Sequence, residues 1–458
     1  MIFAARSMAR RTSGSPLDHR GAPSRWLLPV LLSTTLLLTG TVAVVAVSLP
    51  GMRADLGMTD VSTSWVVNAY LLAYGGALVL GGRLGDIVGR RVTLLGGLAL
   101  FVVGAGVGAL AVDPVLLITA RVLQGAGAAL AAPAVLGVLT SADVGKPRAV
   151  ALSAYTATTS AGFSAGLLAG GAIEQWLGWR WIFLASVPIA SLLLAVSARV
   201  VPSHAGRDQP LDVLGAVAVT VGTAALVFGL VTAVQAVTRS LVGFLLAAVL
   251  LGAFVLRIRT TSYPLLPPAM FTDRARVGAL VAMTLTGAAN FGTIFVLTQH
   301  LSAMGLGPLM VGVVFLALSL PSTLGSLLAR PVVARFGTRR VAAACRVLGA
   351  LGALVLTRLS GWDDMNGWII AGMVLVGLGS GGALLATTAQ ALAAVPAELT
   401  GAAVGTLQTC LQLGSAVGTA LLVVVGAVAS IDVVFAVVSG LLLAGILAMS
   451  LGVRASVG

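Results

Sequence analysis

The chain has 458 residues, of which 58% are hydrophobic and only 9% are charged, with a mean hydropathy of +1.07. Soluble globular domains carry about 25% charged residues, so this composition excludes an ordinary soluble protein and predicts a polytopic membrane protein. The net charge of +13 does not indicate nucleic-acid binding, because the basic residues lie in short segments between apolar runs, where they set orientation in the bilayer. The two cysteines, Cys345 and Cys410, lack metal-ligand spacing, so no disulfide, metal or other cofactor is expected.

Fourteen apolar runs are about 20 residues long, the length that crosses roughly 30 Å of hydrocarbon. Their approximate limits are 27–49, 63–82, 92–111, 114–137, 149–171, 179–199, 211–233, 240–257, 277–300, 310–330, 339–357, 367–390, 400–424 and 431–452. The prediction is an all-α polytopic membrane protein. Its predicted divisions are a cytoplasmic tail (1–26), an N-terminal six-helix bundle (27–199), a linker with two inserted helices (200–259), an interfacial linker (260–276), a C-terminal six-helix bundle (277–452) and a cytoplasmic C-terminus (453–458).

The distribution of basic residues supports this count. With the N-terminus inside, 21 of the 27 basic residues fall on the inner side and only four, Arg53, Arg180, Arg239 and Arg358, on the outer side. One missed helix would invert every later loop and destroy this asymmetry. Both termini are therefore predicted to be cytoplasmic.

The turn between predicted helices 2 and 3 concentrates charge between two apolar runs. It reads Gly82-x-Leu84-x-Asp86-x-x-Gly89-Arg90-Arg91. Glycine allows a tight turn, and an aspartate can cap a helix N-terminus or pair with arginine. At an offset of 248 residues the turn and a glycine stripe recur, with Gly337 at the position of Gly89, Arg339 at that of Arg91, Gly414 at that of Gly166 and Gly418 at that of Gly170. This recurrence indicates an internal repeat.

Predicted helix 4 carries an arginine at membrane depth. The segment reads Ala120-Arg121-Val122-Leu123-Gln124-Gly125-Ala126-Gly127-Ala128, and Arg121 lies about 10 Å along the helix at 1.5 Å per residue. A cation at that depth is costly unless it faces a watery cavity or a partner. Gln124 shares its face at i+3 and could orient it. The alternative is an arginine whose side chain reaches back to the membrane surface.

Predicted helix 5 has four glycines on or beside one face, Gly162, Gly166, Gly170 and Gly171. A face without side chains lets a neighbouring helix approach closely and permits sliding between the two halves. Close packing without any such movement is the alternative.

These stretches together resemble the major facilitator superfamily, and the helix count resembles its 14-helix drug:proton antiporter branch. The resemblance implies that the turn after helix 2 closes the cytoplasmic side in the outward-open state and that the helix 5 glycines are the antiporter signature. It also implies that Arg121, with Gln124 beside it, lines the central cavity and either influences proton movement or binds an anionic group. Two departures stand out. Leu167 occupies a position where that signature carries proline, and Thr39 occupies the helix 1 position where relatives commonly carry aspartate.

The missing helix 1 acid leaves proton coupling without an obvious carrier. Glu174, near the outer end of helix 5, is the nearest candidate for a titrating acid, against the alternative of a solvated loop residue. Thr39, Asn68, Asn290, Gln408 and Gln412 are polar residues at membrane depth and are candidate substrate contacts, or simply ties between helices. An acid-poor cavity that contains Arg121 predicts poor transport of permanently cationic dyes.

The resemblance therefore implies a secondary transporter in a bacterial cell membrane that exports an antibiotic or other small organic molecule by alternating access and proton antiport. No P-loop and no cluster of nucleophile, base and acid occurs, so neither ATP-driven transport nor an enzyme is expected. The expected partners are the substrate, protons and the lipid bilayer, with a monomer as the working unit. Two alternatives are a metabolite uniporter or symporter of the same fold and a transport-inactive membrane sensor or scaffold.

Overall fold

A computed structural model describes residues 25–139, 148–203, 212–233, 236–261, 264–266, 268, 271–357, 367–393, 395 and 400–451. Most of the two predicted cytoplasmic termini, and parts of both linkers around the inserted helices, lie outside the described residues.

The described residues form fourteen helices. They are α1 (Leu27–Leu56), α2 (Asp60–Ile87), α3 (Arg90–Ala109), α4 (Pro114–Leu139), α5 (Arg148–Leu177), α6 (Arg180–Val200), α7 (Val213–Thr232), α8 (Val237–Thr260), α9 (Arg274–Ala303), α10, α11 (Thr338–Leu356), α12 (Gly367–Leu392), α13 (Thr400–Val428) and α14 (Ile431–Leu451). The tenth consists of α10a (Pro308–Val314) and α10b (Leu316–Phe336), which are separated at Phe315. The predicted all-α architecture is confirmed.

Twelve of these helices are long and apolar enough to be candidate membrane spans within the described residues. The two that do not meet this measure are α5 and α11. In α11 the reason is charge, because Arg339, Arg340 and Arg346 lie within its nineteen residues. The structure therefore supports a multi-pass membrane protein with at least twelve candidate spans.

The helices pack as two bundles with the same internal plan. In the first, α1 packs against α5 and α6, α2 against α4, and α3 against α4 and α6. In the second, α9 packs against α13 and α14, α10b against α12, and α11 against α12 and α14. These are the pairs that an offset of eight helices generates, so the repeated sequence pattern corresponds to a repeated packing pattern.

The inserted helices α7 and α8 pack against each other, and α7 also contacts α2 and α13. Asp212 joins the start of α7 to the end of α8. Its carboxylate caps α7 by accepting a hydrogen bond from the Gly215 N–H, and it accepts two more from Arg257 of α8 at 2.7 and 2.9 Å. It also accepts from the Leu265 N–H at 3.3 Å, so the pair is tied to the segment that leads to the second bundle.

Candidate transport site

The two bundles meet mainly along two helix pairs, α2 with α13 and α5 with α10, and α1 makes smaller contacts with α9 and α10a. We call the end of the molecule that carries Arg83, Arg90 and Arg91 the basic end. The other end, where α2 begins and α5 finishes, is the opposite end. Each contact between the bundles lies at some position along the axis that joins these two ends. That position decides which end of the molecule is closed.

The α5–α10 contact lies in the half of α5 nearest the opposite end. A Cβ atom on Gly171 would lie 2.5 Å from the Pro308 carbonyl oxygen, and one on Gly312 would lie 2.6 Å from that of Leu167. The Ser164 and Ser319 hydroxyls are 3.0 Å apart across the same contact. The bundles are thus pressed together at the opposite end.

The α2–α13 contact joins the bundles beside the inserted helices. A Cβ atom on Gly75 would lie 2.8 Å from the Cβ of Gln412, and one on Gly76 would lie 2.0 Å from the Thr220 hydroxyl of α7. Two consecutive glycines therefore bring α2 against both α13 and α7. Gln412, one of the expected substrate contacts, is 8% exposed and lies at this contact between the halves.

The turn from Gly82 to Arg91 is held by contacts to the first bundle and to the linker that leads to the second. Arg83 donates to the Pro264 carbonyl of that linker at 2.7 Å. Gly89 caps α3 with a φ of +97°, a conformation that favours glycine. The Arg90 guanidinium donates to the Gly137 carbonyl at 2.6 Å, and Arg91 donates to the Ala198 carbonyl. Asp86 is exposed and lies 3.9 Å from Arg90. No hydrogen bond or ion pair of these described residues reaches a helix of the second bundle, so the gate contact implied by the resemblance is not made in this conformation.

Arg121 is buried between α2 and α4, with 1% of its surface exposed. Its NH1 donates to Gln124 Oε1 at 2.7 Å, the partner expected from the i+3 spacing. Its Nε donates to the Val66 carbonyl at 3.2 Å, and its Cζ lies 4.2 Å above the Tyr70 ring. Since it is enclosed by α2 and α4, Arg121 does not face an open cavity in this conformation.

Three of the helix 5 glycines pack within their own bundle. Cβ atoms on Gly162, Gly166 and Gly170 would lie 3.1, 2.5 and 2.7 Å from atoms of α1. The atoms they would approach belong to Leu36, Gly40 and Val44. Only Gly171 is at the contact between halves, so the close approach that the stripe predicts is present, but mostly between α1 and α5. Helix α5 is continuous through Leu167.

The other expected substrate contacts are scattered. The Thr39 hydroxyl donates to the Thr35 carbonyl of its own helix at 2.9 Å. Asn290 accepts a hydrogen bond from Ser380 at 2.7 Å and ties α9 to α12. Asn68 is fully buried, and neither of its amide atoms has a partner among the described residues. Gln408 is half-buried on α13. No hydrogen bond within the described part of the chain joins any two of these expected substrate contacts.

Glu174 is packed between α5 and α1. A Cβ atom on Gly51 would lie 1.8 Å from Glu174 Oε1, and the Ser48 hydroxyl lies beside the carboxylate. Oε2 is buried and has no hydrogen-bond partner among the described residues. Asp55, the acid that faces it, is paired with Arg180 at 2.5 Å. Glu174 is therefore a half-buried helical acid close to the α5–α10 contact, with one of its two carboxylate oxygens fully buried.

Sequence reasoning gave no role to Arg346 on α11, which is also 1% exposed. Its NH2 donates to the Thr387 hydroxyl at 2.7 Å, and its NH1 lies 3.1 Å from the Met449 sulfur. Its Nε has no partner among the described residues. The one available signal was an arginine inside a predicted span.

Comparisons with known proteins agree with this architecture. The family profile described as Major Facilitator Superfamily matches residues 31–271 and 277–456. The chain is 35% identical to the puromycin resistance protein pur8 of Streptomyces alboniger, with 87% of this chain and 81% of that protein covered. It is 37% identical to the cephamycin export protein CmcT of Amycolatopsis lactamdurans, over 84% of this chain and 81% of that protein. It is 32% identical to the methyl viologen resistance protein SmvA of Salmonella typhimurium, over 86% of this chain and 79% of that protein.

The architecture is also similar to a solved structure. The POT family transporter PepTSo superposes with a TM-score of 0.69 over 93% of this chain and 97% of that chain, at 14% sequence identity. At this level of identity the likeness concerns the fold alone.

Proposed function

Because the chain belongs to the major facilitator superfamily, we propose that it exports an antibiotic or similar small organic molecule by alternating access. The observation that carries the proposal is the similarity, over 87% and 84% of the chain, to proteins named for puromycin resistance and cephamycin export. The packing supports the mechanism, since two repeated bundles that meet at α2–α13 and α5–α10 can rock about those contacts.

The proposal includes fourteen membrane spans, with α5 and α11 added to the twelve apolar candidates. Both have the length of a span, and their omission would place successive loops on the wrong side of the bilayer relative to the basic residues. The basic end is then cytoplasmic, with both termini on that side of a bacterial cell membrane. The opposite end is closed, so this conformation corresponds to one that opens towards the cytoplasm to take up substrate. The monomer contains both bundles and is the proposed unit of transport.

Proton antiport is the proposed driving force, with Glu174 as the titrating acid. Burying an unpaired carboxylate oxygen is costly unless the acid carries a proton or the site opens to water. Glu174 is half-buried and lies next to Gln175, whose side-chain oxygen accepts a hydrogen bond from the Leu309 N–H of α10a at 3.3 Å. Separation of α5 and α10 would break this contact and open the space beside Glu174 to water. Proton binding at Glu174 would thus be linked to closure of the opposite end, which is the coupling that antiport requires.

Cationic compounds belong among the probes for transport. The expected discrimination against cations depends on Arg121 meeting the substrate, and Arg121 is enclosed in this conformation. One relative is named for resistance to methyl viologen. Both observations argue for testing cationic compounds alongside the others.

Transport by the purified protein in liposomes with an acidic interior tests the function. Puromycin, a cephamycin and ethidium are the probes. An antiporter is expected to accumulate at least one of them, and an ionophore that collapses the pH gradient should abolish the accumulation. Equilibration that ignores the gradient would identify a uniporter, and accumulation only with an alkaline interior a symporter. Absence of movement for a broad panel of compounds would favour the sensor or scaffold.

A Glu174→Gln variant tests the coupling separately. Glutamine keeps the shape but cannot ionise, so we expect substrate exchange between the two sides to persist while gradient-driven accumulation is lost. Asp113→Asn is the matched control, because Asp113 is an exposed helix-capping acid at the same end. Accumulation by Glu174→Gln at the wild-type level would exclude Glu174 as the proton carrier without affecting the proposed export.

A further inference from the structure

We propose that a cavity between α11 and α14 at the basic end binds the headgroup of an anionic phospholipid. The cavity has a volume of about 290 Å³. Its lining residues are Arg339, Arg340 and Ala343 of α11 and Ile446, Met449 and Ser450 of α14. Two guanidinium groups at the end of a membrane helix, above an apolar floor, match the chemistry of a phosphodiester joined to acyl chains.

The internal repeat explains why a cavity exists here. In the first bundle Arg91 closes the equivalent contact between α3 and α6 by donating to the Ala198 carbonyl. At the offset of 248 residues these two positions correspond to Arg339 and Ile446, and both line the cavity. Within the described part of the chain Arg339 has neither an acidic partner nor a protein acceptor. The donor that the first bundle satisfies internally is therefore available to a ligand.

A third positive charge lies behind the cavity. Arg346 is 1% exposed, and its NH1 lies 3.1 Å from the sulfur of Met449, one of the lining residues. Its hydroxyl partners, Thr286 and Thr387, are neutral, and no carboxylate pairs with it in the described ranges. Its Nε is buried without a partner. An uncompensated buried guanidinium raises the electrostatic potential of the cavity and favours an anion.

The position of the cavity favours a lipid over a soluble anion. Among the described residues, α11 and α14 form no extended contact with the first bundle, so they lie at the periphery of the described helices. Exposed apolar side chains continue along both helices away from the basic end, with Val347 and Leu351 on α11 and Leu443 and Leu447 on α14. Acyl chains can lie along these side chains while the headgroup phosphate meets the arginines. Arginine suits this role because its planar donors match phosphate oxygens.

Native mass spectrometry of the purified full chain tests the site, with phosphatidylglycerol and phosphatidylcholine as probes. We expect phosphatidylglycerol to be retained on the wild type and its apparent affinity to fall about tenfold or more in Arg339→Gln/Arg340→Gln. Arg330→Gln/Arg335→Gln is the matched control, because these exposed arginines lie on α10b outside the cavity. The affinity of this control variant for phosphatidylglycerol should stay at the wild-type level.

Ala343→Trp provides a second variant that fills the cavity without changing its charge, and it should also lose phosphatidylglycerol. Equal losses in the two arginine pairs would overturn the site in favour of diffuse surface attraction. Wild-type binding by Ala343→Trp would overturn it as well. Displacement of the lipid by millimolar inorganic phosphate would identify a soluble-anion site instead. Since the readout is binding, these outcomes do not depend on whether the protein exports antibiotics.

Discussion

Arg121 is a buried cation whose hydrogen-bond acceptors are neutral, a carbonyl and the Gln124 amide. Replacing Gln124 by alanine leaves a buried guanidinium donor unsatisfied. Hydrogen bonds to charged groups contribute about 1.5–3 kcal/mol, so we expect Gln124→Ala to lower the free energy of unfolding by about 2 kcal/mol. Chemical unfolding in detergent measures this change. Thr119→Ala, at an exposed position on the same helix, is the control, and equal stability of the two variants would contradict the prediction.

At the level of single residues, the sequence predicted contacts that depend on helix geometry alone. Gln124 is one turn from Arg121, so their hydrogen bond followed from the spacing. The Val66 carbonyl is 55 positions away, and no helical period relates it to Arg121. The side-chain partners of Arg346 are 41 to 103 positions away. Such environments depend on how helices are arranged, which a single sequence does not specify.

Glycine positions determine how closely helices can approach. A Cβ atom on Gly166 would lie 2.5 Å from the Gly40 carbonyl oxygen. Because this oxygen belongs to the backbone of α1, the clash can be relieved only if α1 and α5 move apart. We expect Gly166→Ala to destabilise the protein by about 1–3 kcal/mol and to lower transport. Gly106→Ala on α3 is the control, because nothing lies within 4 Å of its added methyl group. Thermal unfolding and uptake should both leave Gly106→Ala close to wild type, and a loss of equal size in the control would argue against this reasoning.

At the level of helices, length and hydrophobicity predicted the elements, because a bilayer-spanning segment is long and apolar. The glycine stripe predicted that α5 has a close neighbour, but not which one. The glycine face of α5 can pack closely against any helix that has a complementary surface. Hence the sequence pointed to the contact between halves, whereas Gly162, Gly166 and Gly170 lie against α1 and only Gly171 lies against α10.

Asp212 makes the junction of α7, α8 and the following linker sensitive to acid. Burial favours its neutral form, but hydrogen bonds from the Gly215 N–H, Arg257 and the Leu265 N–H hold its pKa below the usual value of 3.8. A pKa that is lower in the folded state contributes stability that is complete above the unfolded value. This stability is lost as the pH falls through the folded pKa.

Asp212→Asn should therefore lower the free energy of unfolding by about 2 kcal/mol at neutral pH. It should also lose less stability than wild type as the pH is lowered from about 5 to about 3. Unfolding temperatures in detergent across this range measure both effects. Asp273→Asn, at an exposed cap on the same side, is the comparison variant. Parallel pH curves for wild type and Asp212→Asn would show that Asp212 is not the group responsible.

On the scale of the whole molecule, the two halves share a packing plan but differ at their basic ends. The first-half turn keeps Asp86, Arg90 and Arg91, whereas the second has Ala334 and Thr338 at the first two positions. The first turn is tied to α4 and α6, while the corresponding α11–α14 contact leaves a cavity. The basic end is thus asymmetric even though the helices repeat. The first bundle therefore satisfies its arginines internally, whereas the second leaves Arg339 and Arg340 at the cavity where we propose that a lipid binds.

Alternating access requires the α5–α10 contact to open during each cycle. Ser164 and Ser319, whose hydroxyls are 3.0 Å apart, offer a way to hold it shut. In a background without Cys345 and Cys410, the Ser164→Cys/Ser319→Cys pair should cross-link on mild oxidation, and transport should stop. Reduction should restore it, and each single variant should transport under both conditions. Because rocking of the bundles would have to break this contact, undiminished transport by fully cross-linked protein would mean that the opposite end does not open there.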